Sequence, residues 1–380
     1  MKVLILGSKE YPMGSNQEDD PQPSGGIEVY IDALVNNLSK EKSIDFIILT
    51  RKFKNTPIFE RKDKIEIHRV PWLRGFYFRN ITFNLSSFFK SFFLEFDIIF
   101  SQDLFATFFG VVLSTLKGKP LIAVVHGKAS DQPQYPGFIR RVLGWFETFS
   151  YKKASYLISL SEGPKKAFEK NPGLKAKWKI IPFGIDMKLY STINRKNARE
   201  KLGLDKDITV ITFVGRLLEV KGVKYLIEAV SKIKKEFVLI IAGSGPDSDK
   251  IKKTAKNRGV IKKLQYLGFR TDIPEILAAT DIYVLPSLSE GLSISLLEAK
   301  AAGNACIVTD IGLPVENKKT ALVVQPKNPD ELAMAINTLM VDPVLRRNLG
   351  ANAKRDASTN HDWKDITKEY LKFFNSIYKK

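Results

Sequence analysis

The chain has 380 residues, 44% of them hydrophobic, which allows two ordinary domains with sizeable cores and excludes a disordered protein. Its net charge of +19 invites anionic partners, and its single cysteine, Cys306, excludes an internal disulfide framework and suits a reducing compartment. No uninterrupted apolar run approaches the roughly 20 residues needed to span a bilayer.

The opening MKVLILG is too short for a signal peptide and reads as a first β-strand. A cytoplasmic chain without a membrane span is therefore expected. PSGGIEVY follows. Gly25 and Gly26 precede a helical pattern, IEVYIDALVNNLSK, so bare backbone N–H groups could approach an anion there. Further strands read as DFIILT, IEIHRV, DIIFS, PLIAVVH and SYLISLS. His126 ends PLIAVVH, on the side of a parallel sheet where ligands gather. A histidine that only packs a loop would look the same.

Residues 71–96, PWLRGFYFRNITFNLSSFFKSFFLEF, carry Arg74, Arg79 and Lys90 among many aromatics. Phe83, Phe88, Phe89, Phe92, Phe93 and Phe96 cannot all lie on one narrow core stripe. Two readings stand: a packed core helix, or an interfacial helix on anionic lipid. The second predicts peripheral attachment at the inner face of the cell membrane.

Around residues 187–206 the text turns polar and reads as a linker with room for a short helix. The alternation then restarts with ITVITFVG, FVLIIAG, LQYLG, DIYVLP, ACIVTD and ALVVQP. Alternating strands and helices in both halves predict an α/β fold of two Rossmann-like, doubly wound parallel-sheet domains facing a central cleft. The expected boundaries are 1–186, 187–360 and a terminal helical segment 361–380 that packs back toward the first domain. The excess charge is divided roughly +8 before residue 187 and +11 after it. No nucleic-acid module appears, and no nucleic-acid partner is expected.

The chemistry-bearing residues of the second half recur at strand ends. GRLLEVKG leaves a strand through Gly215, and Arg216 and Lys221 then stand near a helix start, a good site for a diphosphate. Two solvated cations are the plainer alternative. AGSGP, with Gly243 and Gly245, is a glycine-rich exit suited to the close approach of a flat base. PSLSEGLSISLLEAKAAG places Glu290 in a loop and Glu298 one to two turns into a helix whose apolar residues imply burial. Buried carboxylates need donors, and sugar hydroxyls supply them. A dipole-favoured Glu290 and a solvated Glu298 are the alternative. There is no G-x-x-x-x-G-K-[ST] loop, no G-x-G-x-x-G after strand one, no Cys/His cluster with metal-ligand spacing and no G-x-S-x-G elbow.

In order and spacing, these pieces resemble the retaining glycosyltransferases of GT-B fold, family 4. The likeness includes the Gly-Gly loop, the strand-end histidine, PFGID at 182–186, G-R-x-x-x-x-K-G, AGSGP, Gly268, and a Glu followed seven residues later by a Glu. It implies a transferase that moves a hexose-type sugar from a UDP-, GDP- or ADP-sugar donor to a glycan, lipid-linked or other cell-envelope acceptor. Anomeric configuration would be retained, with no metal or other cofactor required. Arg216 and Lys221 would hold the diphosphate, Glu298 the ribose, and Glu290 would lie by the donor sugar. Gly25 and Gly26 would reach the phosphates, and His126 the sugar near the reacting centre. Gly215, Gly243, Gly245, Gly268, Phe269, Gly291, Leu292 and Ser293 would line the donor site, and the catalytic set would be His126, Arg216, Lys221 and Glu290. Phe183 stands where the family usually has a polar residue and is assigned no role. Leu292-Ser293 replaces a frequent aromatic-small pair. A sugar-nucleotide epimerase of similar build and a non-enzymatic basic binding protein are the alternative readings.

Overall fold

The computed structural model describes residues 1–13, 25–75, 78–127, 136–169, 177–291 and 293–379. The chain divides into two compact units, Met1–Phe183 with Lys364–Lys380, and Gly184–Trp363.

Among the described residues the first unit holds eight strands, numbered in chain order: β1 Lys2–Leu6, β2 Asp45–Arg51, β3 Phe59–Lys62, β4 Ile65–Val70, β5 Ile98–Ser101, β6 Leu121–Val125, β7 Tyr156–Ser159 and β8 Lys177–Ile180. They lie in the order β3-β4-β2-β1-β5-β6-β7-β8. All pairs are parallel except β3 with β4. Val3 of β1 stands beside Phe46 on one side and Ile98 on the other. β1, β5 and β6 are buried almost throughout, as expected of parallel strands covered on both faces. β3 and β8 were not legible as strands, because FERK and KWKI are short and charged.

Helices α1 Gly26–Leu38, α2 Phe78–Ser91, α3 Leu104–Lys117, α4 Gly137–Lys153 and α5 Glu162–Glu169 connect these strands. α3 lies between α2 and α4 and packs on both. Within residues 71–96, Phe83 and Phe96 are core residues and Phe88 packs against that core, while Phe89 and Phe93 are exposed.

The second unit opens with α6 Met187–Ser191 and α7 Arg195–Lys201. Its strands are β9 Thr209–Val214, β10 Phe237–Ala242, β11 Leu264–Gly268, β12 Ile282–Leu285, β13 Ala305–Thr309 and β14 Leu322–Val324, in the order β11-β10-β9-β12-β13-β14. All are parallel. The helices are α8 Val223–Val230, α9 Ser248–Asn257, α10 Ile273–Ala279, α11 Ile294–Ala302, α12 Pro329–Val341 and α13 Pro343–Asn360. Asp281 fastens α7 to this sheet: it accepts from Arg195, Arg199 and the Val210 N–H.

The final helix, α14 Trp363–Tyr378, belongs to the first unit from Lys364 onward. Its Tyr370 hydroxyl lies 2.6 Å from that of Tyr30 on α1, and Phe374 meets Phe100 of β5 edge-on. Among the described residues no helix is long and apolar enough to cross a membrane.

Candidate active site

In a doubly wound sheet, ligands bind beyond the carboxyl ends of the strands, where the strand order reverses. In the second unit that point lies between β9 and β12. Several of the residues singled out in this half leave β9 to β12 at that end.

Gly215 leaves β9 at φ +154, and its N–H donates to Ala242 O. Leu217 N–H donates to Ser244 O, and Gly243 N–H to Gly268 O. The two glycine-rich exits therefore run backbone against backbone. A Cβ on Gly243 would lie 1.9 Å from Gly215 O, and one on Gly245 would lie 2.3 Å from Leu217 O. The requirement for glycine at 243 and 245 is thus met within the protein itself, before any ligand is considered. Gly268 ends β11 at φ +66 with open space where a Cβ would sit, and Phe269 beside it is exposed.

Arg216 is partly buried, and its Nε is enclosed with no hydrogen-bond partner among the described residues. A short 3₁₀ turn, Glu219–Lys221, follows and ends on Gly222 at φ +64. A Cβ on Gly222 would meet Pro286 O at 2.0 Å, and Leu288 N–H donates to Val220 O at 2.7 Å. This close approach of the β9 and β12 exits brings two predicted residues together. Lys221 Nζ donates to both oxygens of Glu290, at 2.7 and 2.9 Å, and Ser287 Oγ donates to Oε1 at 2.7 Å. The Glu290 side chain is only 6% exposed against 22% for Lys221.

Gly291 is exposed; Leu292 lies outside the described residues. Ser293 caps α11, its Oγ accepting from Leu296 N–H. Glu298, further along α11, accepts from the Tyr190 hydroxyl at 2.9 Å. Burial pushes the Glu298 carboxyl up to about 7, against the opposing effect of that hydrogen bond. Tyr190 sits on α6, in the text read as linker. An aromatic among polar residues was the available signal, and it was missed.

In the first unit the strand order reverses between β1 and β5. Gln102 follows β5 and His126 follows β6. His126 Nε2 lies 3.1 Å from Gln102 Oε1, and the Tyr30 ring stands edge-on at 5.4 Å. Burial, and then the charge of Lys9, push the His126 imidazole down to about 4. It is therefore neutral near pH 7, with Nε2–H donating to Gln102 and Nδ1 left as an acceptor. Gly25 precedes α1 and Gly26 begins it. The Gly25 N–H already donates to Glu28 Oε2 at 3.0 Å, so the helix start carries its own carboxylate. Among the described residues no group of three His, Cys, Asp or Glu side chains is placed to hold a metal ion.

Two family models match: "Glycosyltransferase Family 4" over residues 24–189 and "Glycosyl transferases group 1" over residues 194–356. An N,N'-diacetylbacillosaminyl-diphospho-undecaprenol alpha-1,3-N-acetylgalactosaminyltransferase of Campylobacter jejuni is 31% identical over 75% of this chain and 78% of its own. A UDP-Gal:alpha-D-GlcNAc-diphosphoundecaprenol alpha-1,3-galactosyltransferase of Escherichia coli is 31% identical over 66% of this chain and 68% of its own. Among solved structures, the sucrose-phosphate synthase of Thermosynechococcus elongatus superposes with a TM-score of 0.87 at 21% identity, covering 99% of this chain and 98% of that one. The chain belongs to the family 4 glycosyltransferases of GT-B fold. It is a transferase of the glycosyl-transferring class, which sets aside the non-enzymatic reading and disfavours the epimerase.

Proposed function

We propose that this protein transfers a hexose-type sugar from a nucleotide-sugar donor to a lipid-linked or glycan acceptor of the cell envelope, with retention of anomeric configuration. The observation that carries the proposal is the Lys221–Glu290 pair at the switch point of the second sheet, where Lys221 shares the β9 exit with Arg216, whose Nε has no hydrogen-bond partner among the described residues. The cations of Arg216 and Lys221 suit a diphosphate, and their charge would stabilise it as it leaves. Glu290 lies by the donor sugar, and Glu298 accepts from the ribose hydroxyls. Gly215, Gly243, Gly245, Gly268, Phe269, Gly291 and Ser293 line the donor site. From the first unit, this reading assigns the helix start at Gly26 and the neutral His126 to the substrate.

In this reading the bond from the anomeric carbon to the diphosphate oxygen breaks. The acceptor oxygen bonds to that carbon on the same face. The acceptor proton passes to the leaving phosphate, so no metal is needed to balance the charge. The Escherichia coli relative takes its sugar from UDP-Gal, and the acceptors of both relatives are undecaprenol diphosphates. These favour a UDP-sugar and a lipid diphosphate for this chain too, and work at the inner face of the cell membrane through peripheral contact at residues 71–96.

The first test is a thermal-shift panel with UDP, GDP, ADP and NAD at equal, saturating concentration. A ligand at 100 times its dissociation constant stabilises by about 2.7 kcal/mol. A selective response to one nucleoside diphosphate supports the donor site and names its base. A flat response, or one to NAD alone, rejects it. With the donor fixed, the anomeric configuration of the product separates retention from inversion.

A further inference from the structure

We propose that the outer face of α2, α3 and α4 is a single interfacial surface that seats on an anionic lipid bilayer, with α4 as its inserting edge. The inference deepens the membrane reading of residues 71–96 by adding a second helix and naming the side chains that enter lipid. It does not depend on which donor is used.

Three observations carry it. First, α4 presents Phe138, Val142 and Trp145 at spacings of four and three residues, one stripe of a helix. Phe138 is 77% exposed and Trp145 62% exposed. α2 presents a matching stripe, Phe78, Ile81, Leu85 and Phe89, all exposed. Single exposed apolar residues need no explanation, but two such stripes do.

Second, the stripes belong to one surface. Ring contacts run from Phe88 of α2 to Phe109 at 5.6 Å, to Phe108 at 5.6 Å, to Phe146 of α4 at 5.1 Å, and on to Trp145 at 5.1 Å. α3 thus ties the two flanking helices together through tilted and edge-on aromatics.

Third, the charge is one-sided. The three helices carry Arg79, Lys90, Lys117, Arg140, Arg141, Lys152 and Lys153. Their one acid, Glu147, is buried. Basic residues flanking an aromatic face match anionic headgroups over an acyl layer, and each cation near the surface contributes about 1 kcal/mol of attraction. A protein partner of ordinary mixed charge would not explain the lack of exposed acids on all three helices.

The test is binding of the full chain to vesicles of phosphatidylcholine with and without phosphatidylglycerol, read by co-sedimentation and by Trp fluorescence. Binding should require the anionic lipid and weaken with salt. Trp145→Phe should remove most of the blue shift and most of the quenching by lipids brominated in the acyl chain. Phe138→Ser and Trp145→Ser should each weaken binding about tenfold, because one large apolar side chain leaves the lipid. Since both side chains are exposed, the variants should keep the wild-type melting temperature and the same nucleotide-induced shift. Retained vesicle binding with no nucleotide response would reject the donor site and leave this surface standing. The proposal is overturned if wild type ignores anionic vesicles at low salt, if the α4 variants bind unchanged, or if they abolish self-association instead of vesicle binding.

Discussion

Lys221 grips both oxygens of Glu290 where the exits of β9 and β12 approach each other, and the two partners are not equally buried. The imbalance gives the pair a direction. Lys221→Ala leaves a nearly enclosed carboxylate with Ser287 as its remaining partner among the described residues, whereas Glu290→Ala leaves an ammonium that can reach water. Removing one partner of a buried pair costs about 3–5 kcal/mol, and a half-solvated survivor costs less. Lys221→Ala should therefore destabilise the fold more than Glu290→Ala in urea titrations. The catalytic effect runs separately: a folded Glu290→Ala should lose at least about a hundredfold in kcat. Normal turnover in that variant would reject the role given to Glu290.

Glu298 should make both stability and donor affinity depend on pH. Its folded carboxyl is raised to about 7 by burial, above the ordinary value of 4.5. The folded state therefore holds a proton that the unfolded state has released. The stabilisation is full below pH 4.5 and is lost as pH rises through about 7, on the order of 3 kcal/mol in all. Between pH 5 and 8, wild type should lose stability relative to Glu298→Gln. Donor binding should strengthen over the same window, because the ionised carboxylate is the better acceptor for ribose hydroxyls.

Tyr190 should set where that window lies. Its hydroxyl donates to Glu298 and favours the ionised form. Tyr190→Phe removes the donor while keeping the ring. The midpoint of donor affinity against pH should move upward, and KM for the donor should rise several-fold near pH 7 with little change in kcat. A uniform loss of kcat with an unmoved midpoint would reduce Tyr190 to a packing residue.

His126 should stay neutral through the physiological range. Burial and Lys9 hold its imidazole near 4, below the ordinary 6.5, so the unfolded chain takes up the proton first. The stabilisation is present above pH 6.5 and is lost as pH falls toward 4. With three histidines in the chain, the imidazole signals are few enough to assign by NMR. His126 should show a protonated Nε2 and no titration between pH 8 and 5. A midpoint near 6.5 would contradict the burial and the Gln102 contact.

The sequence carried most of this site at the level of strand ends. Alternating apolar runs placed His126, Gly215, Arg216 and Glu290 at carboxyl termini, because parallel strands buried on both faces announce themselves by continuous Val, Ile and Leu. Pairing was not legible. Lys221 and Glu290 are 69 residues apart and meet only because β12 inserts beside β9. Glu298 was visible, but Tyr190 was hidden, since a hydrogen bond across 108 residues leaves no local period. The aromatic stretch 71–96 divided between core and surface, which composition alone cannot apportion.

The glycines make the sharpest test of backbone packing against ligand approach. Gly243 has φ +144, and its missing Cβ would sit 1.9 Å from the carbonyl oxygen of Gly215, a backbone atom that cannot swing aside. Gly268 has φ +66 with nothing within 4 Å of its missing Cβ. Gly268→Ala should thus cost only the left-handed penalty of about 1–2 kcal/mol. Gly243→Ala adds overpacking, for a total of about 3–4 kcal/mol. It should also push the Gly215–Leu217 segment off β10 and displace Arg216, so donor affinity should fall even where the variant is fully folded. Equal costs for the two substitutions in urea would mean that the β9 and β10 exits are not packed backbone to backbone.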